Sequence, residues 1–127
     1  MRFSLCFLVF GAIFVFLVSC ASNTSDSIKR LPATEYKAAL AASNSAQLVD
    51  VRTADEFAQG ALPGAINIDF YATDFKEQLR QLDTTQPVFV YCAVGGRSSK
   101  AASQCDELGF VTIFDLKGGY KAWVKQK

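Results

Sequence analysis

The stretch Pro87-Val88-Phe89-Val90-Tyr91-Cys92-Ala93-Val94-Gly95-Gly96-Arg97-Ser98-Ser99-Lys100 constrains this chain more than any other. A strand-forming apolar run ends at a cysteine, two glycines permit a tight reversal, and an arginine followed by two serines opens a new helix. The pattern is a buried strand, a six-residue loop and a helix. A cysteine at that junction faces free backbone amides and the positive end of the helix dipole, which favour thiolate over thiol. A plainer reading stands beside it, because a cysteine at a strand end is often inert and packs as a small hydrophobe.

Strands and helices alternate around this stretch. Ile28 to Leu31 is a short first strand, and Pro32 and Thr34 announce a helix to about Ala42, with Tyr36 and Leu40 one turn apart on its inner face. Gln47 to Val51 reads as a buried strand. Thr53-Ala54-Asp55-Glu56 matches a capping box, so a short helix carrying Phe57 follows and ends near Gly60. After the turn Ala61-Leu62-Pro63-Gly64, Ala65 to Ile68 forms a brief strand. Phe75, Leu79 and Leu82 have the i, i+4, i+7 spacing of an amphipathic helix over Asp74 to Leu82. Ala101, Cys105 and Leu108 repeat that spacing after the cysteine loop, which places Cys105 on a buried face as a packing residue. Gly109 closes that helix. Val111 to Leu116 is the last strand, and Lys117-Gly118-Gly119 turns into a final helix packed through Tyr120 and Trp123.

This alternation predicts an α/β fold: a central parallel sheet of about five strands flanked by helices in three layers, with right-handed crossovers. Such sheets bind ligands beyond the carboxyl ends of their strands. Two strands deliver polar residues to that edge, Asp50-Val51-Arg52 and Cys92 with its loop. Asp50 and Arg52 are either a surface ion pair, or a link to Glu56, or support that orients the Cys92 loop.

The chain has 127 residues, enough for one domain with a modest core. Its apolar excess is concentrated at the start: Phe3, Phe7, Phe10, Phe14 and Phe16 are five of eleven phenylalanines. Met1-Arg2, an almost unbroken apolar run from Phe3 to Val18 and then Ser19-Cys20 form a secretory signal pattern. Leu17-Val18-Ser19-Cys20 resembles the lipobox of bacterial lipoproteins, which implies cleavage before Cys20 and a lipid on that cysteine. An uncleaved anchor is the alternative, since the run nears membrane-spanning length. The expected organisation is a signal peptide over 1–19, the lipidated cysteine and a flexible polar tether over 20–27, and the domain over 28–127. The expected location is the cell envelope, on a membrane anchor facing the periplasm.

Export simplifies the cysteine count. Cys6 leaves with the signal and Cys20 is lipidated, so Cys92 and Cys105 remain. Cys105 lies eight residues past Arg97 on one helix, on the order of 12 Å along its axis. A disulfide needs Cα atoms within about 7 Å, so Cys92 is expected to stay free even in an oxidising compartment. Without Arg2 the chain has twelve basic and twelve acidic side chains, hence no basic field for nucleic acid. Histidine is absent, which excludes Cys-His dyads, Ser-His-Asp triads and histidine-ligated metals. Two thiols alone make a poor zinc site.

From Ile28 to Trp123 the chain resembles the rhodanese-like single-domain sulfurtransferases. The marks are Asp50-Val51-Arg52, Glu56-Phe57, Leu62-Pro63-Gly64-Ala65-Ile66-Asn67-Ile68, Cys92-Ala93-Val94-Gly95-Gly96-Arg97-Ser98, and Leu116-Lys117-Gly118-Gly119 with Trp123. The resemblance implies transfer of sulfane sulfur through a persulfide on Cys92. It implies that the amides of Ala93, Val94, Gly95, Gly96, Arg97 and Ser98 hold the anionic sulfur, and that Arg97 directs positive charge toward the donor. The implied partners are a small sulfur-containing anion such as thiosulfate and a thiol acceptor, with no external cofactor or metal, and the protein is expected to act as a monomer. Cysteine phosphatases and arsenate reductases of related fold have five residues between cysteine and arginine. Here four intervene, a tighter ring suited to a single sulfur atom. Ala61 stands where many relatives carry a histidine. A noncatalytic module, or a carrier that accepts persulfide sulfur without turning over thiosulfate, is the reading from another class.

Overall fold

A computed structural model describes residues 25–126; the signal, Cys6, Cys20 and most of the tether lie outside the described residues. The strands are β1 (Ile28–Leu31), β2 (Gln47–Asp50), β3 (Ile66–Asn67), β4 (Val88–Tyr91) and β5 (Ile113–Leu116). The helices are α1 (Ala33–Ala42), α2 (Ala54–Ala58), α3 (Phe75–Arg80), α4 (Gly96–Glu107) and α5 (Gly119–Val124). The five strands form one parallel sheet in the order β1-β5-β4-β2-β3. The expected architecture is therefore the observed one.

Why β4 lies at the centre follows from its composition. All four residues are buried, as both faces of a parallel strand must be when helices cover them. Strand alternation sends Val88, Val90 and Cys92 into a core shared with Phe75, Leu79, Ala101 and Cys105, from α3 and α4. Phe89 and Tyr91 point the other way, into a core with Tyr36 of α1 and Leu116. There Tyr36 meets Phe89 and Trp123 edge-on, at centroid distances of 5.4 and 6.4 Å. Each such aromatic contributes about 1.5–3 kcal/mol through burial. Cys92 is thus the next step of the β4 alternation on the α4 side, which orients its side chain before any loop geometry acts.

Several elements are shorter than their sequence patterns predict. α3 ends at Arg80 because the Gln81 and Leu82 amides bond carbonyls three residues back, tightening the last turn. Leu82 still packs against the core. β5 begins at Ile113 because the Val111 amide bonds the Thr84 carbonyl and its side chain lies exposed. The helix after the cysteine starts at Gly96, so the loop is shorter than the six residues expected. The capping box at Thr53 and Glu56 is present as read. Ser25 and Ser27, placed in the tether by sequence, are held to the domain: both hydroxyls donate to the Asp106 carboxylate on α4. Among the described residues no helix is long and apolar enough to cross a membrane.

Candidate active site

The site lies at the carboxyl end of the sheet, where β4 is flanked by β2 and β5. Cys92 is 1% exposed, with its sulfur at the bottom of the loop. The Gly95 amide donates to Sγ at 3.1 Å, and Ser98 Oγ lies 3.5 Å away, accepting from the thiol. Gly95 has φ 108°, a left-handed conformation that glycine enters without steric cost, and this reversal starts α4 directly over the sulfur. Burial by itself would push the thiol up. The Ser98 hydroxyl and the amides of Ser98, Gly95 and Val94 outweigh it and hold the pKa below the ordinary cysteine value.

The Val94 amide faces the sulfur because α5 holds the opposite side of its peptide, and the preceding peptide is held in the same way. The Tyr120 amide donates to the Cys92 carbonyl at 2.7 Å and the Lys121 amide to the Ala93 carbonyl at 3.1 Å. In a trans peptide the C=O and the next N–H point in opposite directions. Carbonyls drawn to α5 therefore leave the following amides, those of Ala93 and Val94, directed away from it. The contact is so close that a Cβ on Gly119 would lie 2.4 Å from the Cys92 oxygen and 2.6 Å from Ala93. Gly119 is thus a structural requirement of the cysteine loop, although by sequence the Gly118-Gly119 pair reads only as a turn.

Arg97 makes a two-pronged ion pair with Glu56, at 2.7 and 2.9 Å, and its guanidinium lies 5.8 Å from the exposed Tyr71 ring. Glu56 also accepts from the Thr53 amide at 2.9 Å. The Arg97 bonds, with those from Thr53, hold the Glu56 carboxyl down at about 2. The Arg97 pKa is raised, by that carboxylate first and by the Cys92 sulfur in smaller part. The free cation expected from the motif is therefore a paired one, anchored to α2 and close enough to feel charge on the sulfur. Glu56 as its partner was not legible, because 41 residues separate them and the capping box already accounts for the glutamate.

Asp50 and Arg52 are neither a surface pair nor a link to Glu56. Both are buried, at 0 and 4% exposure, and bonded to each other at 2.6–3.0 Å. Arg52 also donates to the Gly60 carbonyl at 2.7 Å and stacks over the Tyr120 ring at 4.3 Å. Desolvation opposes its charge, but the Asp50 carboxylate raises its pKa on balance. The pair touches Tyr120, whose amide holds the Cys92 carbonyl, so its link to the loop runs through α5. Of the remaining loop residues, Val94 is 65% exposed at the tip, Ala93 and Gly96 line the turn, and Ser98 is fully buried. Asp115, within the apolar run Ile113-Phe114-Asp115-Leu116, is also buried beside the site; a carboxylate in a central strand was the signal for it. Among the described residues no group of three or more Cys, Asp or Glu side chains is placed to hold a metal.

A family model described as "Rhodanese-like domain" matches residues 32–126. The chain is 32% identical to the uncharacterized protein YqhL of Bacillus subtilis, over 91% of this chain and 88% of that one. It is 38% identical to thiosulfate sulfurtransferase 16, chloroplastic, of Arabidopsis thaliana, over 61% of this chain and 72% of the relative. It is 34% identical to the thiosulfate sulfurtransferase GlpE of Shewanella oneidensis, over 62 and 76%. Among solved structures, a rhodanese-like domain protein from Staphylococcus aureus superposes with a TM-score of 0.66 at 30% identity, covering 75% of this chain and 90% of that one. Sheet order, cysteine loop and these similarities agree: the chain belongs to the rhodanese-like domain family.

Proposed function

We propose that this protein is a sulfurtransferase of the thiosulfate sulfurtransferase type that carries sulfane sulfur as a persulfide on Cys92. The observation that carries the reading is the sulfur's position: Sγ sits against the Gly95 amide, with Ser98 beside it and its pKa held below the ordinary cysteine value. Cys92 thiolate attacks the outer sulfur of thiosulfate, the S–S bond breaks, and its electron pair leaves with sulfite. The loop amides then stabilise the persulfide anion as they did the thiolate. An acceptor thiolate, or cyanide, attacks the terminal sulfur and releases Cys92 as thiolate again. Arg97, fixed by Glu56, supports anion binding at the mouth. A persulfide or polysulfide serves as donor by the same displacement.

The test is the intact mass of the full chain in detergent after incubation with thiosulfate. The expected result is one added sulfur, removed by cyanide as thiocyanate and absent in Cys92→Ser. No adduct and no thiocyanate between pH 5 and 9 would sink the proposal, and an adduct without turnover would assign the protein as a sulfur carrier. We further propose that Cys20 carries a lipid that holds the domain at the cell envelope as a monomer. Labelled palmitate is expected to enter the wild type and not Cys20→Ala; equal labelling refutes the anchor.

A further inference from the structure

The buried carboxylate next to Cys92 has no role in the transfer chemistry described above. Asp115 is 1% exposed, and its Oδ1 is the one buried side-chain polar atom among the described residues without a hydrogen-bond partner. An uncompensated oxygen in a core is costly, so its retention calls for a reason. Register supplies the geometry. Val90 of β4 pairs with Asp115 of β5, and Cys92 follows Val90 by two residues on the same face. Cys92 and Asp115 are therefore diagonal neighbours under the start of α4, at a separation of roughly 7 Å for adjacent strands. Ser98, fully buried, stands at the same helix start: its Oγ accepts from Sγ at 3.5 Å and donates to the Gly95 carbonyl at 3.3 Å, and its hydroxyl lowers the Asp115 pKa against the larger rise caused by burial.

We propose that Asp115 and Cys92 bind protons as one coupled pair, Asp115 taking up a proton through the Ser98 hydroxyl as the sulfur becomes anionic. The Ser98 hydroxyl turns from the Gly95 carbonyl toward Asp115 Oδ1, the S–H bond breaks as the thiol proton passes to Ser98 Oγ, and the Ser98 proton passes to Oδ1. One negative charge moves from carboxylate to sulfur, and no other reactant takes part. Ser98 then donates to the thiolate and accepts from the neutral carboxyl, which gives Oδ1 the partner it otherwise lacks. This rests on the sulfur chemistry proposed above only for its use there. When thiolate becomes persulfide the charge stays on sulfur, so Asp115 stays protonated and the buried site holds one negative charge throughout. A chain without histidine thereby has a proton acceptor for its nucleophile.

The other groups facing the pair are accounted for. Arg30 of β1 bonds Asp115 Oδ2 at 2.9 Å and also donates to Ser99 of α4, but its side chain is half exposed. Tyr36 of α1 stays neutral, its pKa raised well above the ordinary value by burial first and by the Asp115 charge in smaller part. Arg97 is held by Glu56. A cleft of about 210 Å³, lined by Arg30, Val94, Gly95, Asp115, Lys117 and Gly118, brings solvent to the carboxyl from the side of β5. Protons can enter there while substrate covers the mouth of the loop.

The test is the pH profile of Cys92 alkylation by iodoacetamide in the full chain in detergent, followed by mass of the Cys92 peptide. It reads thiolate directly and needs no sulfur donor, so its outcome is independent of whether the protein turns over thiosulfate. Wild type is expected to show two inflections, as coupled groups do. In Asp115→Asn one inflection remains, about one pH unit below the upper wild-type one, because the repelling carboxylate is gone. An Asp115→Asn profile identical to wild type overturns the proposal. Should that variant not fold, the Asp115 carboxyl resonance in selectively labelled protein decides. Its titration is expected about one pH unit lower in Cys92→Ser than in wild type, and an equal midpoint overturns the proposal.

Discussion

Cys92 and Cys105 occupy the same hydrophobic core, 1 and 0% exposed, and differ in reactivity because of what is aimed at each sulfur. Cys105 sits in the last turn of α4, where the backbone amides are committed to the helix. Burial acts on it alone and pushes its thiol up to about 12. Cys92 pays the same kind of desolvation cost, yet three loop amides and the Ser98 hydroxyl bring its pKa below the ordinary value. Both are free thiols. Position relative to the start of α4 decides which one is a nucleophile: at the helix start the amides are unspent, and a turn or two later they are not.

The widest separation is expected in alkylation of the native protein. At pH 7 a thiol titrating near 12 is thiolate to about one part in 10⁵, so Cys92 should react at least about 10³-fold faster than Cys105. Peptide mass after brief iodoacetamide treatment measures the ratio, and comparable labelling of the two would remove the contrast. Next in size is Gly119→Ala. Its Cβ would collide with the Cys92 and Ala93 carbonyls, so the loop must shift away from α5. A displacement near 1 Å is expected to lower sulfur-transfer kcat by about 10- to 100-fold. An unchanged rate would mean that α5 does not set the direction of the loop amides.

Cys105→Ser should do the opposite. It places a hydroxyl among apolar side chains and costs about 1–3 kcal/mol, read as a lower urea midpoint, with the sulfur-transfer rate unchanged. A fall in rate without loss of stability would give Cys105 a role in the chemistry. The smallest effect concerns the Arg97 clamp. The Glu56 carboxyl is lowered to about 2 in the fold, so its pairing contributes stability above pH 4.5 that is lost as pH falls from there toward 2. Glu56→Gln should flatten that part of the acid-unfolding curve by less than about 1 kcal/mol, since both side chains reach solvent. An equally steep curve in the variant would place the acid sensitivity elsewhere.

Local patterns made much of this legible. The β4 run, the capping box and the i, i+4, i+7 spacings in α3 and α4 each depend on neighbours within a turn or a strand. Element ends were less so: α3 closes in a tightened last turn, and β5 is cut short where the Val111 amide bonds the distant Thr84 carbonyl. In the site, Cys92, its glycines and Ser98 stood out because one loop carries them all. Glu56, Asp115 and the close approach of Gly119 did not, because each acts on the loop from another part of the chain.

The amino-acid sequence by itself determined that the strands would be parallel and the central one buried, that Cys92 would follow its end, and that no histidine could activate it. Those outcomes follow from side-chain type and short-range spacing. Only the tertiary structure decided which groups meet that sulfur. Packing α5 against the loop turns the Val94 amide inward, pairing β5 with β4 sets Asp115 diagonal to Cys92, and bringing α2 near α4 ties Arg97 to Glu56. The physical reason is that electrostatic control of a buried thiol depends on distances of a few ångströms between residues far apart in the chain, and only the closed sheet fixes those distances.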